Sequence, residues 1–259
     1  MGMTIVEIEK HMKSLRLSGM LATLESRALQ AQQSNAGLVE ALSWLLQDEL
    51  DHRSSNLIQR RFKASGMDER KTLTDFDWGF NPKLPKKEIY ELVTAKFIQN
   101  GEHALLIGAP GTGKSHVAKT IAHASIQLFQ KTVYREAHVF FEDMFEAEQT
   151  HNQKKIFKLF TQADLLVIDD LFLRKRMPKD AADYLLDIII NRYSKRKSTV
   201  ITSNRPIEDW GLLLKDNAAS SAILDRLLHH GHLLKFEGKS YRLKEAAKRL
   251  SRLNDEGKG

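Results

Sequence analysis

The sequence predicts an α/β fold, a parallel sheet with helices on both faces, preceded by a small all-α domain. Three observations carry this. Short apolar runs alternate with helical patterns from about residue 100 onward, as covered parallel sheets require. A glycine-rich loop joins the first of those runs to the helix after it. Residues 1–72 show apolar positions at helical spacing instead. The expected division is a helical domain over 1–72, an aromatic and proline-rich linker over 73–85, and an α/β domain over 86–259 ending in a short helix.

Taken in order, Thr4–Ala31 reads as one amphipathic helix, with Ile5, Ile8, Met12, Leu15, Met20, Leu21 and Leu24 recurring between charged residues. Gln33 to Gly37 breaks it. A second helix runs from about Leu38 to Ala64, with Leu42, Leu45, Leu46, Glu49, Leu50 and Leu57 on or beside one stripe. The helices are expected to share an apolar face, and Gly66 to end the second as a C-cap. Asp75 to Pro85 holds three aromatics and two prolines, an ordered linker because aromatics this dense pack on something. A helix from Lys86 to about Asn100 stops at Gly101. Strands are expected at Ala104–Ile107, Thr132–Tyr134, Leu165–Ile168, Ser198–Thr202 and His232–Phe236. Helices separate them at Lys114–Phe129, Val139–Gln149, Lys154–Ala163, Lys179–Lys195 and Ser220–Leu228.

The 259 residues include no cysteine, which excludes a disulfide framework, a thiolate zinc site and a cysteine nucleophile. Apolar runs such as Leu185–Ile190 fall far short of the roughly 18 residues a membrane span needs. Met1 to Thr4 lacks the basic-then-apolar pattern of an export peptide, so a cytoplasmic protein with no membrane partner is expected. The 40 Lys+Arg against 33 Asp+Glu give a net charge of +7. Residues 1–75 hold ten of each sign, so residues 76–259 carry the whole excess, 30 against 23. Phe172–Lys197 and Lys235–Gly259 are the most basic stretches. Such a balance suits a nucleic-acid phosphate backbone, and equally a solvated helix face.

Gly108-Ala109-Pro110-Gly111-Thr112-Gly113-Lys114-Ser115 matches G-x-x-x-x-G-K-[ST] at every fixed position, with an apolar strand before it and a helix after it. Glycines let the loop close with its N–H groups pointing inward, and the helix N-terminus adds the positive end of a dipole. Lys114 reaches the β- and γ-phosphates, the Ser115 hydroxyl ligates Mg²⁺, and His116 completes the nucleotide-binding run. ATP and Mg²⁺ are the implied ligands. Leu165 to Asp170 is a buried strand ending in two acids, Asp169 for the Mg²⁺ shell and Asp170 to orient or activate the attacking water. Asp170 is one methylene shorter than the Glu more usual there, which shortens its reach.

The next strand ends in Ser203-Asn204. If it lies between the P-loop strand and the Asp169 strand, the sheet order is 5-1-4-3-2 and Asn204 can hydrogen-bond the γ-phosphate or the water. Otherwise Asn204 is a turn residue before Arg205-Pro206. In Ile223-Leu224-Asp225-Arg226-Leu227, Arg226 either faces a neighbouring subunit's γ-phosphate or pairs with Asp225.

GAPGTGKS, LLVIDD, TSN and AILDRLLHHGH with the later GKSYRL, together with LRLSGM and FDW near the N-terminus, resemble IstB, the AAA+ ATP-binding helpers of insertion-sequence transposons. That family is related to the DnaC helicase loader. The similarity runs from about Leu15 to Leu243, and the AILDRL, GKSYRL and LRLSGM segments are its most specific parts. It implies a helical N-terminal domain, an AAA+ core with a reduced C-terminal lid, ATP-dependent homo-oligomeric assembly on double-stranded DNA, and stimulation of a partner transposase. It places Lys114, Ser115, Asp169, Asn204 and Arg226 at the Walker A, Walker B, sensor and arginine-finger positions. Arg242 either takes part of the lid arginine's role or is a surface charge. Two departures stand out: Asp170 in place of Glu, and an unusually basic loop after it. Arg174, Lys175 and Arg176 of that loop, with Arg60 and Arg61 of the second helix, are the candidate DNA contacts.

Three rivals remain at this point: a helicase loader acting on single strands, a monomeric P-loop phosphotransferase, and a nucleotide-switched adaptor without turnover. His229, His230 and His232 alternate faces and do not converge on one ion, and Trp44, Trp78 and Trp210 read as core or interface anchors.

Overall fold

A computed structural model describes residues 3–173 and 177–256. The chain divides into two compact units, residues 1–60 and 61–259, a division that falls inside the third helix.

The first unit is helical: α1 (Ile5–Ser14), α2 (Ser18–Ser34) and most of α3 (Leu38–Ser65). Thr4 and Glu7 form a reciprocal capping box at the start of α1. The single helix expected over Thr4–Ala31 is thus two helices, parted at Arg16, whose φ is 58°. The reason lies thirty residues away. Glu49 of α3 is buried and accepts the N–H groups of Gly19 at 2.7 Å and Met20 at 3.1 Å, capping the first turn of α2. Gly19 permits this approach, since a Cβ there would lie 2.7 Å from the Glu49 Cα. Arg53 pairs with the other Glu49 oxygen at 2.6 Å, and Arg27 of α2 grips Asp48 with two hydrogen bonds. Polar contacts therefore join α2 to α3, while Leu42, Leu46 and Leu50 of the expected shared stripe stay exposed.

In the second unit α3 stops at Gly66, φ +86°, as its C-cap role requires. The aromatic segment is ordered: Trp78 stacks on Tyr90 of α4 (Lys86–Val93) with ring centres 5.4 Å apart. The helix expected over Lys86–Asn100 breaks at Ala95, which is fully buried at φ 57°, before α5 (Lys96–Asn100).

Then follow β1 (His103–Gly108), α6 (Lys114–Gln127), β2 (Thr132–Glu136), α7 (Ala137–Gln149), α8 (Gln153–Gln162), β3 (Leu165–Leu171), α9 (Ala181–Ser194), β4 (Ser198–Ser203), α10 (Trp210–Leu214), α11 (Asn217–His229), β5 (Gly231–Phe236) and α12 (Tyr241–Glu256). The five strands are parallel in the order β2-β3-β4-β1-β5, the order expected. Leu105, Val133, Leu166, Ile168 and Ile201 turn to one face, where α7, α8, α9, α11 and Trp210 bury them. On the other side α6 packs across β1 to β4, contributing Val117, Ala118 and Ile121.

Arg192 belongs to the basic stretch Phe172–Lys197 but is fully buried, donating to the carbonyl oxygens of Phe160 and Ala163 and to the Thr199 hydroxyl. Lys197 pairs with Asp164 at 2.6 Å. Part of that charge therefore holds the core together rather than facing a partner.

Candidate nucleotide site

The P-loop sits where its strand and helix meet. Gly113 has φ +105°, and a Cβ there would lie 2.7 Å from the Phe76 ring, so only glycine closes this turn. His116 is fixed beside it, with a ring nitrogen 2.8 Å from the Thr72 carbonyl oxygen and its ring edge-on to Phe76. Thr112 donates to the Ala109 carbonyl at 2.8 Å, tightening the loop around Pro110. Lys114 is nearly buried, and its ammonium donates to the carbonyl oxygens of Gly108 at 2.7 Å and Ala109 at 2.9 Å. Burial lowers its pKa, and the charges of Asp170 and Asp169 offset part of that.

The two acids come from the end of β3. Asp169 is 3% exposed and held on both sides: Tyr134 of β2 donates to Oδ2 at 2.5 Å and Thr202 of β4 donates to Oδ1 at 2.5 Å. Asp170 follows in a β-bulge with φ 55°, and its N–H donates to the Thr202 hydroxyl at 2.8 Å. Left-handed backbone favours Asp over Glu, which gives a local reason for the shorter acid here. Burial, and then the Asp169 charge, push the Asp170 pKa up against the pull of Lys114 and Arg242.

These residues share one cavity of about 280 Å³, lined by Gly111, Gly113, Lys114, Ser115, His116, Asp169, Asp170 and Arg242. Lys119, Tyr134 and Glu136 line it too, and no motif had marked them. A more apolar cavity of about 400 Å³ shares Glu136, Asp169 and Asp170 and runs on to Phe141, Phe145, Phe172 and Met177. Asn204 and Arg226 are not in the lining of the nucleotide cavity. The Asn204 side-chain oxygen is buried without a hydrogen-bond partner. Arg226 donates to the Ala222 carbonyl of its own helix at 2.7 Å; among the described residues it makes no ion pair with Asp225. Of the candidate DNA contacts, Arg60 is exposed, Arg61 has one guanidinium nitrogen buried without a partner, and Arg174, Lys175 and Arg176 lie outside the described residues. No helix among the described residues is long and apolar enough to cross a membrane.

The ATP-binding protein named for insertion sequence IS5376 of Geobacillus stearothermophilus is 33% identical over 238 residues, covering 92% of this chain and 94% of that one. An insertion-sequence ATP-binding protein of Mycobacterium tuberculosis is 30% identical, covering 89% and 92%. Among solved structures, AMPPCP-bound DnaA from Aquifex aeolicus superposes with a TM-score of 0.54 at 21% identity, over 73% of this chain and 57% of that one. The DnaC helicase loader does so with 0.51 at 20%, over 58% and 87%. At such identity the likeness is one of fold. With residues 10–249 matching the family profile, this chain belongs to the IstB-like ATP binding proteins.

Proposed function

We propose that this chain is a Mg²⁺-dependent ATPase that assembles with further copies of itself on duplex DNA and stimulates a partner transposase. The observation that carries the ATPase part is the convergence of Lys114, Ser115, Asp169 and Asp170 on one cavity. The insertion-sequence context of the relatives supports the transposase as partner.

The donors present suit Mg²⁺. A serine hydroxyl and aspartate carboxylates are hard oxygen ligands, and Mg²⁺ takes one or two of these, the rest coming from phosphate and water. Among the described residues no group of three His, Cys, Asp or Glu could hold a metal ion, and phosphate oxygens of bound ATP would supply further ligands. Ser115 and Asp169 would hold the ion, which supplies neutralisation of charge on the β- and γ-phosphates. The chain's own residues do the rest. Lys114 exchanges the Gly108 and Ala109 carbonyls for phosphate oxygens. Asp170 accepts a proton from the attacking water, or orients it. Asn204 follows β4 beside the acids but outside the cavity lining, so it would reach the γ-phosphate only if its side chain turned to donate through the amide NH2, and Arg242 brings positive charge to the cavity. Arg226 lies outside its own cavity, which fits a guanidinium that completes the site of a neighbouring copy. Assembly then sums along DNA the part of the basic excess of residues 76–259 that is not tied up in the core, as Arg192 is.

Steady-state hydrolysis with equal lengths of duplex or single-stranded DNA tests this. Duplex should stimulate turnover, and Arg226→Ala should remove the stimulation while leaving ATP binding intact. Stimulation by single strands alone would favour a helicase-loader activity, and no turnover under any condition would overturn the ATPase reading.

A further inference from the structure

Asp169 sits on the middle one of three hydrogen-bonded strands, and the strands on either side each send it one hydroxyl. Tyr134 is 3% exposed and Thr202 fully buried, so both hydroxyls act away from bulk water. Each carboxylate oxygen receives one donor at 2.5 Å and keeps a lone pair free. Held from both edges, the carboxylate cannot turn about its Cβ–Cγ bond without breaking a buried hydrogen bond. The Thr202 oxygen also accepts the Asp170 N–H, so a single hydroxyl sets both the orientation of Asp169 and the bulge that carries Asp170.

The Tyr134 ring is itself anchored. The Lys119 ammonium lies 5.7 Å from its centre and is fixed by Asp68 at 2.7 Å and Glu69 at 3.1 Å.

We infer that Tyr134 and Thr202 are positioning residues that fix the Asp169 carboxylate in the orientation that serves Mg²⁺ on bound ATP. This rests on the nucleotide reading proposed above and extends it to two residues outside the P-loop and the acid pair. The competing role is purely structural: two hydroxyls that satisfy a buried carboxylate and nothing more. The two differ in what Mg²⁺ does for ATP affinity.

The test uses the full chain and three variants, Tyr134→Phe, Thr202→Val and Thr202→Ser. ATP affinity is measured in EDTA and again in excess Mg²⁺, with the melting temperature of each ligand-free protein alongside. For the unaltered chain Mg²⁺ should tighten ATP binding. In Tyr134→Phe and Thr202→Val, whatever the affinity in EDTA, the gain from Mg²⁺ should fall by about tenfold, as loss of an outer-shell partner does elsewhere. Thr202→Ser keeps the hydroxyl and should restore the gain. A lowered melting temperature with an unchanged Mg²⁺ gain would show a structural role and overturn the inference. So would an unaltered chain whose ATP affinity ignores Mg²⁺. Should Thr202→Val not fold, Tyr134→Phe decides alone. Failure of the unaltered chain to bind ATP even in EDTA is a separate result, because it overturns the nucleotide reading itself.

Discussion

The ammonium of Lys114 rests 2.7 Å from the carbonyl oxygen of Gly108, the residue that opens its own loop. In this pose the lysine closes the loop on itself, and phosphate must take the place of those carbonyls. Lys114→Ala should weaken ATP binding on the order of a hundredfold, the loss of a charge-assisted contact, with circular dichroism unchanged. Because burial lowers the Lys114 pKa below 10.5, the free loop sheds its proton early as pH rises. ATP phosphates favour the charged form, so alkaline binding should take up a proton and weaken before free lysine would titrate. Calorimetry in buffers of different ionisation enthalpy checks this; proton release would contradict it.

The helical unit should be acid-labile. Burial works to raise the Glu49 pKa, but Arg53 and the N–H groups of Met20 and Gly19 outweigh it and hold it below 4.5. Next to it, Arg27 holds Asp48 down to about 2. Folded values below unfolded ones mean stability that is present above the unfolded pKa and lost as pH falls through the folded one. Hydrogen exchange at Gly19 and Met20, corrected for intrinsic rates, should show protection at neutral pH that declines below 4.5. Glu49→Gln should lower protection there already at neutral pH, a loss of about 1–3 kcal/mol. Protection independent of pH and of this substitution would contradict the capping role.

Asp170 has φ 55°, a backbone that Asn adopts more readily than Glu. Asp170→Asn should therefore keep the fold and lower hydrolysis about a hundredfold if the carboxylate is the base. Asp170→Glu gains reach but should cost about 1–2 kcal/mol of stability for a longer side chain at a left-handed position. Melting curves and single-turnover hydrolysis of both variants separate these effects. Since burial raises the Asp170 pKa, the carboxylate becomes available only above the ordinary 3.8, and hydrolysis should rise with pH through that raised value.

Much of this was legible in the sequence because its signals are local. The P-loop needs eight consecutive residues, and the five strands are short apolar runs bounded by polar ones, so the sheet order followed once Asn204 was set beside the acids. What escaped depends on partners far along the chain. Periodicity carries Thr4–Ala31 through as one helix, since the cap that permits the break at Arg16 comes from Glu49. Tyr134 and Thr202 pass for ordinary strand residues until β2 and β4 flank β3. Arg192 counts as surface charge in composition, yet its guanidinium is buried among carbonyls. Arg226 remained ambiguous for the same reason, because its proposed target belongs to another copy.

The most direct measurement is sedimentation of the full chain with labelled duplex and single-stranded DNA of equal length, with and without ATP–Mg²⁺, alongside Arg226→Ala. A large complex should form on duplex DNA only with ATP–Mg²⁺ and be lost in Arg226→Ala. A chain that stays monomeric under all these conditions, or that assembles only on single strands, would contradict ATP-gated assembly on duplex DNA.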